Sequence, residues 1–404
     1  MVNTNLQKIK EALARWADRI YPSREAFLNQ LKTKKKLVIY HGIDPTAPHL
    51  HLGHSTNFFL LRKFQKLGHR IVLLVGDFTA RIGDPTGRDI TRKPLTLTQI
   101  MENCKTYRQQ MAKILDFKSK KNPTELKFNS QWLDKLTMEE LTRLASKFTQ
   151  GYMIKRSMFQ KRLKEKKEIY LHELLYPLFQ GYDSVAINVD TEVGGTDQTF
   201  NMLVGRDLMK IYRNKEKFVI TTPLLINPKT GRKLMSKSEG NFVALNDKPN
   251  EMFGKIMALP DETTILCLKL CTEIPIKEIQ VMARSLKQKV VNPRDLKIRL
   301  AREIVTIYHG KGVAERAERE FNKIFREKKL PTKIPEIKIL QKTLNILDLL
   351  VKTKLAPSKS EAKRLILQKG VKINGRVQED WRKTIEIKKG MIIQVGKRKF
   401  IKII

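Results

Sequence analysis

The sequence predicts an α/β fold, with a doubly wound parallel sheet in its first half, followed by a helical region and a small basic unit. Two continuous apolar runs, Leu37-Val38-Ile39-Tyr40 and Ile71-Val72-Leu73-Leu74-Val75, read as strands buried on both faces. Between them, from about Gly53 to Leu67, Phe58, Phe59, Leu61 and Phe64 can be buried by a helix that Gly68 closes. Strand, helix and strand in so short a span form a βαβ unit, hence a parallel pair. From about 247 to 328 the pattern turns helical without a convincing strand. A chain of 404 residues is too long for a single ordinary core, which agrees with several domains.

The elements follow in order. Leu6, Ile9, Leu13, Trp16 and Ile20 recur as one face of an opening helix. That segment lacks the apolar centre of a secretory leader, and no run of 18 apolar residues could span a bilayer, so a cytoplasmic protein without membrane partners is expected. Ser184 to Val189 and Phe218-Val219-Ile220 are further strand candidates, which sets the first domain at 1–226, with an insertion at about 117–171. Ligands of such sheets sit at the carboxyl ends of the strands. A second region is expected at 227–329, a linker with Pro331 and Pro335 at 330–342, and a compact unit at 343–404. Within the last, Ser358-Lys359-Ser360-Glu361 reads as a capping box opening a helix that Gly370 ends, and Val371 to Val377 as a hairpin about Asn374-Gly375.

Lys and Arg number 80 against 41 Asp and Glu, a net charge of +39 that favours polyanionic partners, although lysine spread along a chain can also be compositional bias. The final 61 residues concentrate it, with 16 basic against 5 acidic residues. Lys359, Lys363 and Arg364 share one side of the predicted helix and Arg376 lies just past the hairpin turn, a candidate RNA-binding face whose plain alternative is solvation. Three cysteines make no disulfide framework. Cys267 and Cys271, spaced as neighbours on a helix with no second ligand pair, are read as packing, and no metal site is expected.

Neither common nucleotide fingerprint, a Walker loop or G-x-G-x-x-G, is present. Instead the first strand leads through Pro45-Thr46-Ala47-Pro48-His49-Leu50 into His51-Leu52-Gly53-His54 at a helix start. Free N–H groups and the helix dipole attract anions there, the imidazoles can donate to phosphate, and Gly53 lets a nucleotide approach the backbone. Capping or metal binding remains the other use of two such histidines. Asn227 to Asn241 is polar, Gly-bounded and lysine-rich, either a mobile loop whose cations close on a transition state or a solvated lysine run. In Tyr176-Pro177-Leu178-Phe179-Gln180-Gly181-Tyr182-Asp183, a helix would place Tyr176, Gln180 and Asp183 on one face, pointing into a site or out to solvent.

Taken together, His51-Leu52-Gly53-His54 and Leu234-Met235-Ser236-Lys237-Ser238 resemble the paired signatures of class I aminoacyl-tRNA synthetases, which flank a Rossmann-like core. The second signature departs at its first position, where Leu234 replaces a lysine and Lys233 stands one place earlier. The Tyr176–Asp183 cluster, Tyr40-His41-Gly42-Ile43-Asp44, Gly76 to Pro85 and Val193 to Gln198 resemble the tyrosyl branch, and the C-terminal unit resembles S4-type RNA-binding domains. The resemblance implies an ATP-dependent ligase that joins L-tyrosine to tRNA(Tyr), uses ATP with Mg2+, and forms a homodimer through the 117–171 insertion.

It also implies residue roles. Tyr40 and Asp183 would bond the substrate phenol, and Asp84, Tyr176 and Gln180 its ammonium, with Thr79 and Gln198 lining the pocket. Gly195 and Asp197 would meet the ATP ribose beside Gly42 and His54, with Asp44, Gly53, Met235 and Ser236 also on the nucleotide side. Thr46, His51, Arg88, Arg92, Lys233 and Lys237 would face the departing pyrophosphate. Asn57 stands where the family often carries a small hydroxyl residue.

Overall fold

The computed structural model describes residues 2–33, 35–86, 94–235, 242–325, 334–396 and 399–404, and the chain divides into two compact units. The first comprises residues 1–248 and 255–311, the second 249–254 and 312–404. Residues 255–311 thus group with the sheet that precedes them, whereas the sequence reading places them in a separate region.

The first unit is built on β1 (Ile20–Tyr21), β2 (Val38–Ile43), β3 (Arg70–Val75), β4 (Glu125–Phe128), β5 (Thr191–Gly195) and β6 (Phe218–Thr222), in the spatial order β1-β6-β5-β2-β3-β4. Only β1 runs antiparallel; every other pairing is parallel. From the central β2 the chain first builds outward through β3 and β4, then returns to the other side with β5 and β6. The order therefore reverses between β2 and β5, and a crevice opens at their carboxyl ends.

The βαβ unit forms as the apolar runs require. Phe58, Phe59, Leu60, Leu61 and Phe64 of the Leu52–Lys66 helix are buried, and Gly68, at φ 96°, turns the chain into β3. The opening helix is Leu6–Trp16, with the Asn5 side chain accepting from the Lys8 N–H, and its Trp16 ring stacks on Phe59 at 5.9 Å. Its buried face is Ile9, Ala12, Leu13 and Trp16; Leu6 is exposed, and Ile20 belongs to β1.

One strand expectation fails. Ser184 to Ile187 are the last residues of a long helix, Leu171–Ile187, which Asn188 ends in the left-handed conformation at φ 54°. The apolar residues there are the buried end of a helical face. The strand lies just beyond, at Thr191–Gly195. Pro177 sits inside this helix, six residues after its start. Cys267 and Cys271 lie buried in the helix Thr264–Cys271, and among the described residues no group of three or more His, Cys, Asp and Glu is placed to hold a metal. No described helix is long and apolar enough to cross a membrane.

In the second unit, β7 (Glu336–Ile337), β9 (Val371–Ile373), β10 (Arg376–Val377), β12 (Ile392–Val395) and β13 (Lys399–Ile403) form a five-stranded sheet, and β8 (Thr343–Asn345) pairs with β11 (Thr384–Glu386). Ile346, Leu349, Leu350, Ile366, Val371 and Ile393 are among its core. Glu336 and Ile337, expected within a linker, instead pair in parallel with β13. Asn374 and Gly375 both take positive φ, 48° and 81°, as a two-residue hairpin turn demands. Ser358 caps the helix Lys359–Leu367 by accepting from the Glu361 N–H, but the Glu361 carboxylate turns to Arg364, so only half of the expected capping box is made. The helix is ended by Lys369 at φ 56°, one residue before Gly370.

Candidate active site

The carboxyl ends of β2, β3 and β5 and the start of the Leu52–Lys66 helix enclose a cavity of about 580 Å³. The polar stripe of the Leu171–Ile187 helix faces it: Tyr176, Gln180 and Asp183 all line the cavity. Asp183 is 3% exposed, and its carboxylate accepts from Trp132 Nε1 at 2.8 Å and Asn129 Nδ2 at 3.3 Å. Burial pushes this carboxyl well above the usual aspartate range; the two hydrogen bonds oppose that only in part. A deeply placed carboxylate with spare acceptor capacity is suited to a ligand that brings a donor.

Tyr176 donates to Asp44 Oδ2 at 2.9 Å, and Thr79 donates to Asp44 Oδ1 at 2.7 Å. A Cβ at position 76 would lie 2.1 Å from that Asp44 oxygen, so glycine at the end of β3 leaves room for the pair. Asp44, assigned to the nucleotide side by resemblance, is therefore also bonded to two residues assigned to the amino-acid side. Asp84 accepts from Thr86 Oγ1 at 2.6 Å and Gln198 Nε2 at 2.7 Å, and Gln180 donates to Glu192 at 3.2 Å. These groups bring several carboxylates to one wall, which favours a cationic ligand group there.

At the helix start, the His51 N–H donates to His54 Nδ1 at 3.1 Å, so a neutral His54 carries its proton on Nε2. The two rings lie 3.9 Å apart, and both line the cavity with Thr46, Gly42 and Gly53. Leu52 and Leu245 donate across to Val243 and Leu50, which ties the chain emerging from the second polar segment to this helix start. Residues 227–235 of that segment, expected as part of a mobile loop, form a hydrogen-bonded turn. Asn227 and Leu234 donate to the Arg232 and Leu225 carbonyls, and Gly231 adopts φ 67°. Leu234 is buried, whereas Lys233 lines the cavity and pairs with Asp197 at 2.8 Å. Gly195, Asp197, Gln198 and Met235 complete this end.

The cavity thus gathers sixteen of the residues singled out from sequence: Gly42, Asp44, Thr46, His51, Gly53, His54, Thr79, Asp84, Tyr176, Gln180, Asp183, Gly195, Asp197, Gln198, Lys233 and Met235. Arg88, Arg92, Ser236 and Lys237 lie outside the described residues. Tyr40 is not part of the lining. It is 1% exposed, its hydroxyl is 2.9 Å from Ser184 Oγ, and it lies within electrostatic reach of the lining carboxylates Glu192 and Asp183. In the second unit, Lys359, Lys363, Arg364 and Arg376 are exposed. Lys359 pairs with Asp348, Arg364 with Glu361, and Lys363 lies 4.1 Å over the Trp381 ring.

Sequence reading missed Glu192, His41, Trp132, Asn129 and Lys217. His41 Nδ1 is 2.7 Å from the Val193 carbonyl and therefore donates, which leaves Nε2 to accept from Asn57, whose own oxygen accepts from Thr222 at 2.6 Å. Burial pulls His41 down to about 4. In the unfolded chain it would take up a proton below about 6.5. Stability is therefore lost as pH falls through that window, by up to roughly 3 kcal/mol from this residue. The expected result is a smaller acid-induced drop for His41→Gln than for the unchanged protein, read from chemical denaturation between pH 7 and 4.5.

Comparison with known proteins agrees with this geometry. Residues 32–326 match the class I tRNA synthetases for tryptophan and tyrosine, and residues 327–403 match the SYY-like C-terminal domain of tyrosine–tRNA ligases. The chain is 48% identical to the tyrosine–tRNA ligase of Thermotoga maritima, over 94% of each protein. The chain belongs to the tyrosine–tRNA ligase family. It is also 44% identical to the enzyme of Carboxydothermus hydrogenoformans, over 99% of this chain and 98% of that one. Among solved structures, the truncated mitochondrial tyrosyl-tRNA synthetase of Coccidioides posadasii superposes with a TM-score of 0.62 at 26% identity, covering 78% of this chain and 90% of that one. The Archaeoglobus fulgidus tyrosyl-tRNA synthetase, solved with L-tyrosine, shares the fold at a TM-score of 0.60 and 21% identity, covering 78% and 99%.

Proposed function

We propose that the cavity is where tyrosine and ATP react, and that this chain is the ligase that forms tyrosyl-adenylate and passes tyrosine to tRNA(Tyr). One observation carries the reading. A single 580 Å³ cavity holds a buried hydrogen-bond acceptor, Asp183, together with the imidazoles of His51 and His54 and the ammonium of Lys233. Asp183 accepts from the phenol, and Tyr40 bonds the phenol oxygen beside it. Asp84, Tyr176 and Gln180 hold the ammonium, with Asp44 orienting Tyr176, and Thr79 and Gln198 shape this end. Gly42, Gly53, Gly195, Asp197 and Met235 receive the adenosine. Thr46, His51, His54 and Lys233, with Arg88, Arg92, Ser236 and Lys237 from the remaining chain, face the phosphates. ATP enters as its magnesium complex.

The chemistry asks little of a base. The tyrosine carboxylate is already a nucleophile, and it attacks the α-phosphorus in line as pyrophosphate leaves. Catalysis then rests on holding the two substrates together and on stabilising the charge that gathers on the leaving group. A tRNA terminal hydroxyl next attacks the adenylate. Lys359, Lys363, Arg364 and Arg376 meet the RNA backbone, where neutralising phosphates supplies much of the affinity. The working form is a homodimer assembled through the 117–171 insertion, in the cytoplasm. Pyrophosphate exchange with a panel of amino acids tests the assignment. Exchange should depend on tyrosine; exchange that follows tryptophan, or none at all, would refute it.

A further inference from the structure

Lys217 is a buried lysine that does not itself line the cavity. Its side chain is 0% exposed and it is absent from the cavity lining, at the entry to β6. The ammonium donates to Ser184 Oγ at 2.8 Å, to the Met202 carbonyl at 3.1 Å, and to the carboxylate of Glu192, so its three hydrogens are all used. The backbone leaves room for it. A Cβ at Gly205 would come within 2.5 Å of Lys217 Nζ and 2.9 Å of Ser184 Oγ. Enclosing an ion pair this fully costs several kcal/mol in desolvation, and an apolar pair of similar shape is often at least as stable. Stability is therefore a weak reason for the pair to be there.

The partner supplies a better one. Glu192 lines the cavity on β5, and its second oxygen accepts from Gln180 Nε2 at 3.2 Å. A carboxylate paired with an ammonium can only accept hydrogen bonds. Gln180 must therefore turn its NH₂ toward Glu192, which leaves its carbonyl oxygen for the cavity. That oxygen is the atom an ammonium ligand needs; an inverted amide would offer it a donor and repel it.

We propose that Lys217 is a positioning residue for amino-acid recognition: by neutralising Glu192 while keeping it an obligate acceptor, it fixes the Gln180 amide with its oxygen toward the substrate ammonium. The proposal rests on the reading of Gln180 as an ammonium ligand given above. It assigns Lys217 an effect on tyrosine affinity and none on the nucleotide.

The test uses the full-length chain with Lys217→Met and with the double variant Lys217→Met/Glu192→Gln, which replaces the ion pair by a neutral pair of similar shape and so guards against a single variant that fails to fold. Tyrosine affinity is read by equilibrium binding and ATP by its KM in pyrophosphate exchange. Both variants should weaken tyrosine binding by about tenfold, the worth of one hydrogen bond, while the KM for ATP stays within about twofold. The double variant decides the matter, because a neutral amide in place of the Glu192 carboxylate can donate or accept and no longer dictates how Gln180 turns. Tyrosine affinity equal to that of the unchanged protein in the double variant would leave the pair a structural role only and overturn the proposal, as would equal losses for tyrosine and ATP. Gln180→Ala serves as the control for the underlying reading. If it leaves tyrosine affinity unchanged, the ammonium assignment falls and takes this proposal with it; if it weakens tyrosine while the double variant does not, the Lys217 proposal alone is lost.

Discussion

Replacing Asp183 by alanine is expected to lower kcat/KM for tyrosine by roughly 10- to 150-fold, with the KM for ATP nearly unchanged. The figure is the worth of a hydrogen bond to a charged acceptor, about 1.5–3 kcal/mol. The asymmetry follows from where Asp183 sits, 3% exposed and bonded to Trp132 and Asn129, with no direct contact to the Lys233–Asp197 pair. Phenylalanine should gain relative to tyrosine in the variant, because without the carboxylate a ligand lacking a hydroxyl no longer leaves a buried acceptor unpaired. Competitive exchange assays with the two amino acids measure both effects. An unaltered preference for tyrosine would remove Asp183 from the phenol subsite.

The same residue predicts a pH dependence. Burial raises its pKa well above the usual value, so the carboxylate is lost on acidification earlier than an exposed aspartate would be. Tyrosine affinity should therefore weaken as pH falls into that raised range, and the alanine variant should lack this component. For stability the sign is reversed. A folded pKa above the unfolded value of about 3.9 means that the folded state binds more protons between the two. The burial cost of Asp183 thus grows as pH rises through that window and is relieved below it.

Much of the site was legible because its chemistry is written in local patterns. His51 and His54 are three residues apart at a helix start, where both sequence spacing and cap geometry act within one turn. Tyr176, Gln180 and Asp183 share a face by helical periodicity alone, and only the choice between solvent and cavity needed the fold. The residues that escaped notice act through tertiary contacts. β5 reads Thr191-Glu192-Val193-Gly194-Gly195, with a charge at its second position and two glycines, so neither apolar run nor alternation marks it as a central strand. The apolar Val185-Ala186-Ile187 just upstream attracted the strand assignment in its place, although Asn188 ends a helix there. With the strand read at Ser184–Val189, the sequence pattern alone does not bring Glu192 to the cavity. Lys217, one of 80 basic residues, reads as surface until its partner is known. Tyr40 shows what a motif leaves to packing: its place on β2 is legible in the sequence, whereas the contact of its hydroxyl with Ser184 is set by the helix packed against that strand.

At the other end of the cavity, Lys233→Ala and His51→Ala are each expected to slow adenylate formation by roughly 10²- to 10³-fold while tyrosine binding changes little. The reason lies in when the interactions matter. Ground-state ATP already carries its magnesium, and negative charge accumulates on the bridging oxygen only as the pyrophosphate bond breaks. Donors aimed at that charge lower the barrier more than they tighten binding. Lys233 is well placed for this, since the turn at Gly231 and the hydrogen bond from Leu234 to Leu225 set the lysine at the cavity, where Asp197 holds it at 2.8 Å. An exposed pair of this kind contributes little to stability, so the lysine can exchange Asp197 for phosphate at small cost, freeing the aspartate for the ribose. Leu234, buried beneath the turn, cannot take that part, and Lys233 is the residue we propose for the departed first position of the signature. Pre-steady-state adenylate formation, measured beside equilibrium tyrosine binding, separates the two effects. A Lys233→Ala variant that forms adenylate at the unchanged rate would show that the ion pair with Asp197 is only a surface contact, and would return the phosphate role to the segment beyond Met235.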